Sequence, residues 1–392
     1  MLDANQLLTD LFRAYYCARK NKRKTINALR FELNFESRLF RLYEDILQRK
    51  YQISRSICFI SFKPVKREIF AGDFRDRIIH HLIFNYISPI FERVFINDAY
   101  SCRVGRGTSY GINRIDYFIR VCSDNYKSDC YILKLDIKGY FMAIDKTILY
   151  KKIETVLLRY QSIVKQDINL VLWLIRKVIF HDSKLNCYIK GQSRDWLGLP
   201  KSKSLFYAKQ NKGLPIGNLT SQLFGNVYLN DFDHFIVYGL GCKYYGRYVD
   251  DCIIVHQEKD FLKSLIPKIR EYLAQDTELE LHPNKIYLQH YTKGVVFLGA
   301  IIKPYRRYIR NRTKGNWHRA IGEWHSRFVN QSNTFTKAEW ENFASSMNSY
   351  FGIMRSCNSY KLRHKMSNRI LSLFSGYIFV CDASRKVVLK NL

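Results

Sequence analysis

Apolar residues recur at helical spacing through roughly the first 60 residues, which predicts helices there. Phe59 to Ile69 reads instead as a pair of strands crossing Pro64, and Asp76 to Phe91 as an apolar helix. Cys130 to Asp136 alternates as a strand does, with Tyr131, Leu133 and Leu135 on one side and Ile132, Lys134 and Asp136 on the other. A longer helical pattern runs from Leu149 to Ile179, and Leu219, Leu223 and Val227 share one face of a helix that starts after Asn218. Two β-prone runs, Lys243–Arg247 and Cys252–Val255, flank Tyr248-Val249-Asp250-Asp251 and predict a hairpin with both carboxylates at its tip. Beyond Pro304 the character becomes helical again. Trp317, Ile321, Trp324 and Phe328 mark one helix, and Thr336-Lys337-Ala338-Glu339 is a capping box opening a second with Trp340, Phe343 and Met347. A third, from Tyr360 to Phe374, is basic.

Charge narrows the class. The chain has 64 Lys and Arg against 34 Asp and Glu, a net +30 over 392 residues, so its partner is expected to be a polyanion. A basic cluster stands at Arg19, Lys20, Lys22, Arg23 and Lys24. From Lys303 to Leu392 there are 17 basic and 4 acidic residues, net +13, which suits either a nucleic-acid backbone or a solvated helical module. A membrane-surface role would also explain basic charge. The longest apolar run, Leu170 to Ile175, is too short to span a bilayer, and no apolar signal region opens the chain, which implies a cytoplasmic protein. The ten cysteines form no Cys-x-x-Cys, so reduced, mostly buried thiols are expected rather than a zinc site or disulfide frame. There is no internal repeat, and the length allows two or three subdomains sharing a core.

Adjacent carboxylates repel, so the Asp250-Asp251 tip is best tolerated beside a divalent cation. All-oxygen ligands favour Mg²⁺, with Mn²⁺ as a substitute. Asp136, ending its strand where Ile137-Lys138-Gly139-Tyr140-Phe141 turns, would complete the minimal frame for two metal ions that clamp an attacking 3′-hydroxyl and a leaving pyrophosphate. Each residue also has a plainer reading: a solvated acidic turn for the pair, a helix cap for Asp136.

These residues resemble the reverse transcriptase family over nearly the whole chain. Asp136 with Phe141 looks like the first palm motif, and Gly213-Leu214-Pro215-Ile216-Gly217-Asn218-Leu219-Thr220-Ser221-Gln222 like the template-and-nucleotide motif. Tyr248–Asp251 is similar to the metal-binding hairpin, and Val296-Phe297-Leu298-Gly299 to the primer grip. All four occur in family order. Ile216-Gly217, where retroviral and group II intron enzymes usually carry Gln-Gly, resembles the variant of diversity-generating retroelements. So do Asn186–Gly191, Asp195–Pro200 and Asn358–Arg363, and no ribonuclease H or maturase extension follows, again as in that group.

The resemblance implies an α+β right-hand polymerase with an antiparallel palm sheet and a helical thumb. Residues 1–130 would be N-terminal helices and fingers, 131–302 the palm with a fingers insertion at about 150–212, and 303–392 a basic thumb with a C-terminal tail. Asp136, Asp250 and Asp251 would serve catalysis and hold the metals, helped by the Ile137 carbonyl, and Lys285 would protonate pyrophosphate. Lys63 and Arg67, with Lys66 beside them, would grip the triphosphate. Phe141 would exclude a ribose 2′-hydroxyl, and Ile216, Gly217 and Gln222 would line the nucleotide site. Phe297, Leu298 and Gly299 would grip the primer, and Lys361, Arg363, Lys365 and Arg369 the nucleic-acid backbone. The partners would be dNTPs, a template-repeat RNA copied into cDNA with errors at adenines, and a small, basic, pentameric accessory variability protein. Two other readings stay open: a group II intron-like or phage-defence reverse transcriptase, and a non-catalytic RNA-binding scaffold on the same fold.

Overall fold

The computed structural model describes residues 3–20, 22, 25–62, 65–331, 334–381 and 386–390. Arg23, Lys24, Lys63 and Pro64 therefore lie outside the described residues. In chain order the elements begin α1 (Ala4–Arg19), α2 (Ile26–Glu32), α3 (Phe35–Leu47), β1 (Ser56–Ser61), β2 (Arg67–Ala71) and α4 (Phe74–Val94). Next come α5 (Thr108–Cys122), β3 (Tyr131–Asp136), α6 (Tyr140–Ala143), α7 (Lys146–Arg159), α8 (Ile168–Phe180) and β4 (Cys187–Ile189). Then follow α9 (Leu219–Tyr228), α10 (Asn230–His234), β5 (Tyr244–Tyr248), β6 (Asp251–His256), α11 (Lys259–Thr277) and β7 (Tyr287–His290). The chain closes with β8 (Val295–Phe297), β9 (Ala300–Lys303), β10 (Arg306–Ile309), α12 (Asn311–Asn330), α13 (Lys337–Arg355), α14 (Tyr360–Phe374), β11 (Ile378–Cys381) and β12 (Lys386–Leu389).

The chain divides into two compact units. One comprises Met1–Val104, Lys134–Cys252 and Ser264–Ile286. It is organised around α4, which packs against α1, α8 and α9 and buries apolar side chains on most of its circumference, from Ile78 to Phe91. Asp73 caps α4 by accepting from the Arg75 amide at 3.0 Å. A small sheet of order β2-β1-β4 lies in this unit, antiparallel between β1 and β2 (Cys58 opposite Phe70, Ile60 opposite Glu68) and parallel between β1 and β4. A four-stranded sheet has the order β5-β6-β3-β7.

The helical pattern between Leu149 and Ile179 resolves into two helices rather than one. Gln166 is buried and exchanges hydrogen bonds with the Asp3 backbone, at 2.9 and 2.8 Å, and Asp167 caps α8 by accepting from the Leu170 amide at 3.0 Å. The first helix stops at Arg159, and these partners fix the segment that leads into the second; the contact with Asp3 is not visible in apolar spacing.

The second unit comprises Gly105–Leu133, Ile253–Lys263 and Tyr287–Leu392. Its antiparallel sheet, order β10-β9-β8, is tied to α5 by Arg307, whose guanidinium reaches Asp116 at 2.5 Å. Helices α12, α13 and α14 close an aromatic core of Trp317, Phe328, Trp340, Phe343, Phe351 and Phe374. The expected capping box is present: Thr336 and Glu339 each satisfy the other's backbone amide. The last strands, β11 and β12, pair antiparallel within the segment expected to be a C-terminal tail.

All ten cysteines are free thiols, and five are buried. Among the described residues no helix is long and apolar enough to cross a membrane.

Candidate active site

The hairpin of β5 and β6 turns through Val249 and Asp250, so Asp250 sits in the turn and Asp251 opens the return strand. Val249 adopts φ 58°, a left-handed conformation that a β-branched side chain resists. Its neighbours hold it there. The Val249 amide donates to Ser101 Oγ at 3.3 Å, and its carbonyl accepts from Arg247 Nη1 at 2.9 Å. Ser101 is fixed in turn by donating to Asn226 Oδ1 at 2.7 Å and by accepting Asn226 Nδ2 on its carbonyl at 2.6 Å.

Arg247 is the anchor of this turn. It has no exposed surface, and its Nε and Nη2 each lie 2.6 Å from one oxygen of Asp233, which is equally buried. Tyr245 donates its hydroxyl to the same carboxylate at 2.7 Å. Burial works against the guanidinium's charge, but Asp233 outweighs it and holds Arg247 firmly protonated. Gly246 between them is required by space: a Cβ there would run into the Tyr100 hydroxyl.

Asp136 ends β3 beside this turn. The Ile137 amide donates to the Asp250 carbonyl at 3.3 Å, and the His282 amide to the Asp136 carbonyl at 2.8 Å. These bonds bring Asp136, Asp250, Asp251 and Lys285 together as the sequence predicts. Lys285 Nζ stands 2.8 Å from Asp136 Oδ1, so it is neither remote nor merely a surface lysine. Lys134, two residues before Asp136, places its Nζ 3.1 Å from Asp251 Oδ1. Burial, and then the charge of Asp136, push the Asp250 carboxyl up to about 6. Burial also raises Asp251, while Lys134 opposes the rise. The helix cap that Asp136 might have supplied comes from Asp145, which accepts from the Thr147 and Ile148 amides at the start of α7.

This donor set fits a hard divalent cation. The crowded carboxylates already draw two ammonium groups, Lys285 on Asp136 and Lys134 on Asp251, into the place where a cation would serve. Among the described residues no group of three or more His, Cys, Asp or Glu side chains stands ready to hold a metal ion, so the carboxylates alone do not make a finished site.

The expected nucleotide residues lie in the same unit. Phe141, on α6, rests its ring edge against Gly225 of α9. Ile216 extends the β2 ladder by accepting the Phe70 amide on its carbonyl at 2.8 Å. Gly217 follows at φ 129°, where a Cβ would come within 2.8 Å of the Phe70 carbonyl, so only glycine fits. Asn218 does not cap α9 but accepts the Gly72 amide at 3.2 Å, tying the start of α9 to the end of β2. The Ile216 side chain packs on a cluster of Cys58, Phe70, Met142 and Leu205, and Phe141 packs on that same cluster. Gln222 is exposed on α9, and Arg67 is exposed on β2. Lys66 donates to the Leu197 carbonyl at 2.6 Å, and Lys63 lies outside the described residues.

The other expected contacts belong to the second unit. Phe297 is buried at the end of β8, and Leu298 and Gly299 turn with φ 49° and 87°. On α14, Lys361, Lys365 and Arg369 are exposed at four-residue intervals and share a face, whereas Arg363 is half-buried with its Nε unpartnered.

Sequence reasoning missed Arg247, Asp233, Lys134 and Glu68. Glu68, on β2 beside Arg67, is fully buried and accepts from Trp196 Nε1 (2.7 Å), Ser204 Oγ (2.8 Å) and the Leu205 amide (2.6 Å). It thereby binds the Asp195–Pro200 stretch to β2. The signal available was a charged residue inside a strand-like apolar run, which is tolerated only with a buried partner.

Residues 66–302, well over half of the chain, match the family model described as reverse transcriptase (RNA-dependent DNA polymerase). The chain belongs to the reverse transcriptase family. Its architecture is accordingly the α+β right-hand polymerase fold of those reverse transcriptases. A curated relative, protein YkfC of Escherichia coli strain K12, is 22% identical over 272 residues, covering 61% of this chain and 62% of that protein. Among solved structures, telomerase from Candida albicans in complex with a TWJ fragment of telomeric RNA overlaps with a TM-score of 0.44 at 12% identity, covering 83% of this chain and 63% of that one. Apo telomerase from Candida tropicalis gives 0.47 at 13% identity, covering 82% and 62%. The chain thus spans about six-tenths of the length of these relatives.

Proposed function

We propose that this reverse transcriptase copies a template-repeat RNA into cDNA with errors at adenines, as the enzymes of diversity-generating retroelements do. The observation that carries the polymerase reading is the meeting of the β3 end with the β5–β6 turn, where the Ile137 amide donates to the Asp250 carbonyl, Lys285 answers Asp136 and Lys134 answers Asp251. Asp136 and Asp250, with the Ile137 carbonyl and a weaker contribution from Asp251, would hold two Mg²⁺ ions, or Mn²⁺ in their place. Those ions would activate the primer 3′-hydroxyl and neutralise the leaving pyrophosphate. Lys285, held 2.8 Å from Asp136 Oδ1, would give its proton to the leaving pyrophosphate. Arg67 and Lys63 grip the triphosphate, and the Phe141 ring occupies the space of a ribose 2′-hydroxyl. Residues 1–130 and the insertion at about 150–212 act as fingers, 131–302 as palm and 303–392 as thumb. Phe297–Gly299 hold the primer, and the exposed α14 cations hold the backbone. A small, basic, pentameric accessory protein binds together with the RNA, whose phosphates screen two basic partners from one another.

The retroelement reading is supported by Ile216-Gly217 and by the packing around it. Ile216 offers no donor or acceptor and rests on the apolar cluster that also seats Phe141. A polar side chain there would steady the incoming nucleotide, and its lack costs about 1–3 kcal/mol of discrimination, roughly tenfold to a hundredfold in error ratio. Ile216→Gln is expected to lower misincorporation opposite template adenines by about tenfold while synthesis continues. Sequencing cDNA made by both proteins on one repeat RNA, with the accessory protein present, tests this. An unchanged adenine error spectrum rejects the role of Ile216, and accurate copying by the parent chain rejects the retroelement reading.

A further inference from the structure

A cavity of about 470 Å³ opens along one face of α8, in the first unit. Trp173, Arg176, Lys177 and Phe180 form its α8 wall, and Gln52 and Asn186 stand among its other lining residues. The four α8 residues are spaced i, i+3, i+4 and i+7, so they make a single stripe. The remaining faces of α8 bury Leu170, Val171, Leu174, Ile175 and Ile179 and pack against α7 and α4. Packing is therefore satisfied without the stripe, and the stripe has an unusual composition: two cations between two rings.

The surroundings reinforce it. The Arg49 guanidinium lies 4.9 Å from the Trp173 ring centre and the Lys177 ammonium 5.9 Å from it. The Arg176 guanidinium lies 5.6 Å from the Phe180 ring. No acidic side chain among the described residues lines the cavity. Rings flanked by cations suit a nucleobase with its phosphate. The volume admits one nucleotide. A paired base cannot enter, because its faces are already covered within the duplex.

We propose that this cavity is a second RNA site, which takes one unpaired nucleotide by stacking its base on Trp173 or Phe180 and holding its phosphate with Arg176 and Lys177. None of the residues assigned to catalysis lines it. It anchors a bulged or single-stranded element of a structured RNA, so that the polymerase holds its own template more tightly than a featureless one. The inference rests on the reading that the chain binds RNA, and adds to it a place where RNA structure is recognised away from the chemistry.

The test compares a perfect RNA duplex with the same duplex carrying one unpaired nucleotide, bound to the full chain at one salt concentration. The parent protein is expected to prefer the bulged RNA by about tenfold. Trp173→Ala should erase that preference and leave duplex affinity unchanged, while Trp173→Phe should retain most of it. Because Trp173 is half-buried, Arg176→Gln combined with Lys177→Gln provides a second route through the exposed Arg176 and through polar side chains, with the same loss expected. Equal binding of the two RNAs by the parent, or a preference that survives both sets of substitutions, overturns the proposal. So does a cavity that answers only to an acidic peptide, read by Trp173 fluorescence. Primer extension on a short unstructured template should be the same in all these proteins. Its absence from the parent chain would reject the polymerase reading instead, independently of the binding result.

Discussion

Asp250→Asn is expected to abolish nucleotide addition and yet to make the protein more stable at neutral pH. Asp250 sits in the turn held by Arg247, beside the end of β3, and losing its charge removes one of the proposed metal ligands. That costs several kcal/mol of transition-state stabilisation, on the order of a thousandfold or more in rate. RNA binding should survive, because it draws on the +30 charge of the whole chain rather than on the carboxylates. The stability effect has the opposite sign. Burial and the neighbouring Asp136 raise the Asp250 carboxyl from 3.8 to about 6 in the folded chain. Below about pH 4 it is protonated whether the chain is folded or not, and it costs nothing. Between about 4 and 6 the unfolded chain ionises first, so stability falls as pH rises. Above about 6 the full penalty, about 3 kcal/mol, is borne by the folded state. Asparagine carries no such penalty. Asp76, raised to about 6 by burial, adds a similar slope, but to both proteins alike, and cancels in the comparison. Thermal unfolding at pH 4 and pH 7.5 should show the variant's advantage only at the higher pH. Added Mg²⁺ should raise the midpoint of the parent protein and not that of the variant. An advantage of equal size at both pH values, or extension near the parent rate, would contradict the assignment.

Arg247→Met is expected to cost about 3–5 kcal/mol of stability, the usual consequence of leaving a buried carboxylate without its partner. Asp233 has no exposed surface and would keep only the Tyr245 hydroxyl. Removing both charges, with Arg247→Met and Asp233→Leu together, should recover a good part of the loss, because no uncompensated charge then remains. Nucleotide addition should not return with stability. Arg247 Nη1 also holds the Val249 carbonyl, and without that bond the left-handed Val249 relaxes and Asp250 moves from Asp136. Urea unfolding and primer extension on the single and double variants separate the two roles. A double variant that regained both would show Arg247 to be a matter of folding alone.

Local pattern carried much of the fold into view. The strand ending at Asp136, the hairpin around Asp250, the helix from Asn218 and the Thr336–Glu339 capping box are each set by residues within a few positions of one another. Side-chain periodicity and backbone capping act over that range, so they can be read from a bare chain. The segment leading into α8 was not legible, because it is fixed by Gln166 meeting Asp3, 163 positions away. The site divides in the same way. The sequence offered Asp136, Asp250 and Asp251 as candidates because they are strand-end and turn carboxylates, and Lys285 through the family resemblance. Only the tertiary structure decided which charge answers which: Lys285 on Asp136 across 149 positions, Lys134 on Asp251 across 117, Glu68 on Trp196 across 128. Nor could spacing reveal that Arg247, read as one more residue of a β-prone run, is the buried cation under the catalytic turn. A hydrogen bond or ion pair forms between whichever groups the packed fold brings within about 3 Å, and burial sets the cost of leaving one unmade. Both quantities belong to the assembled chain.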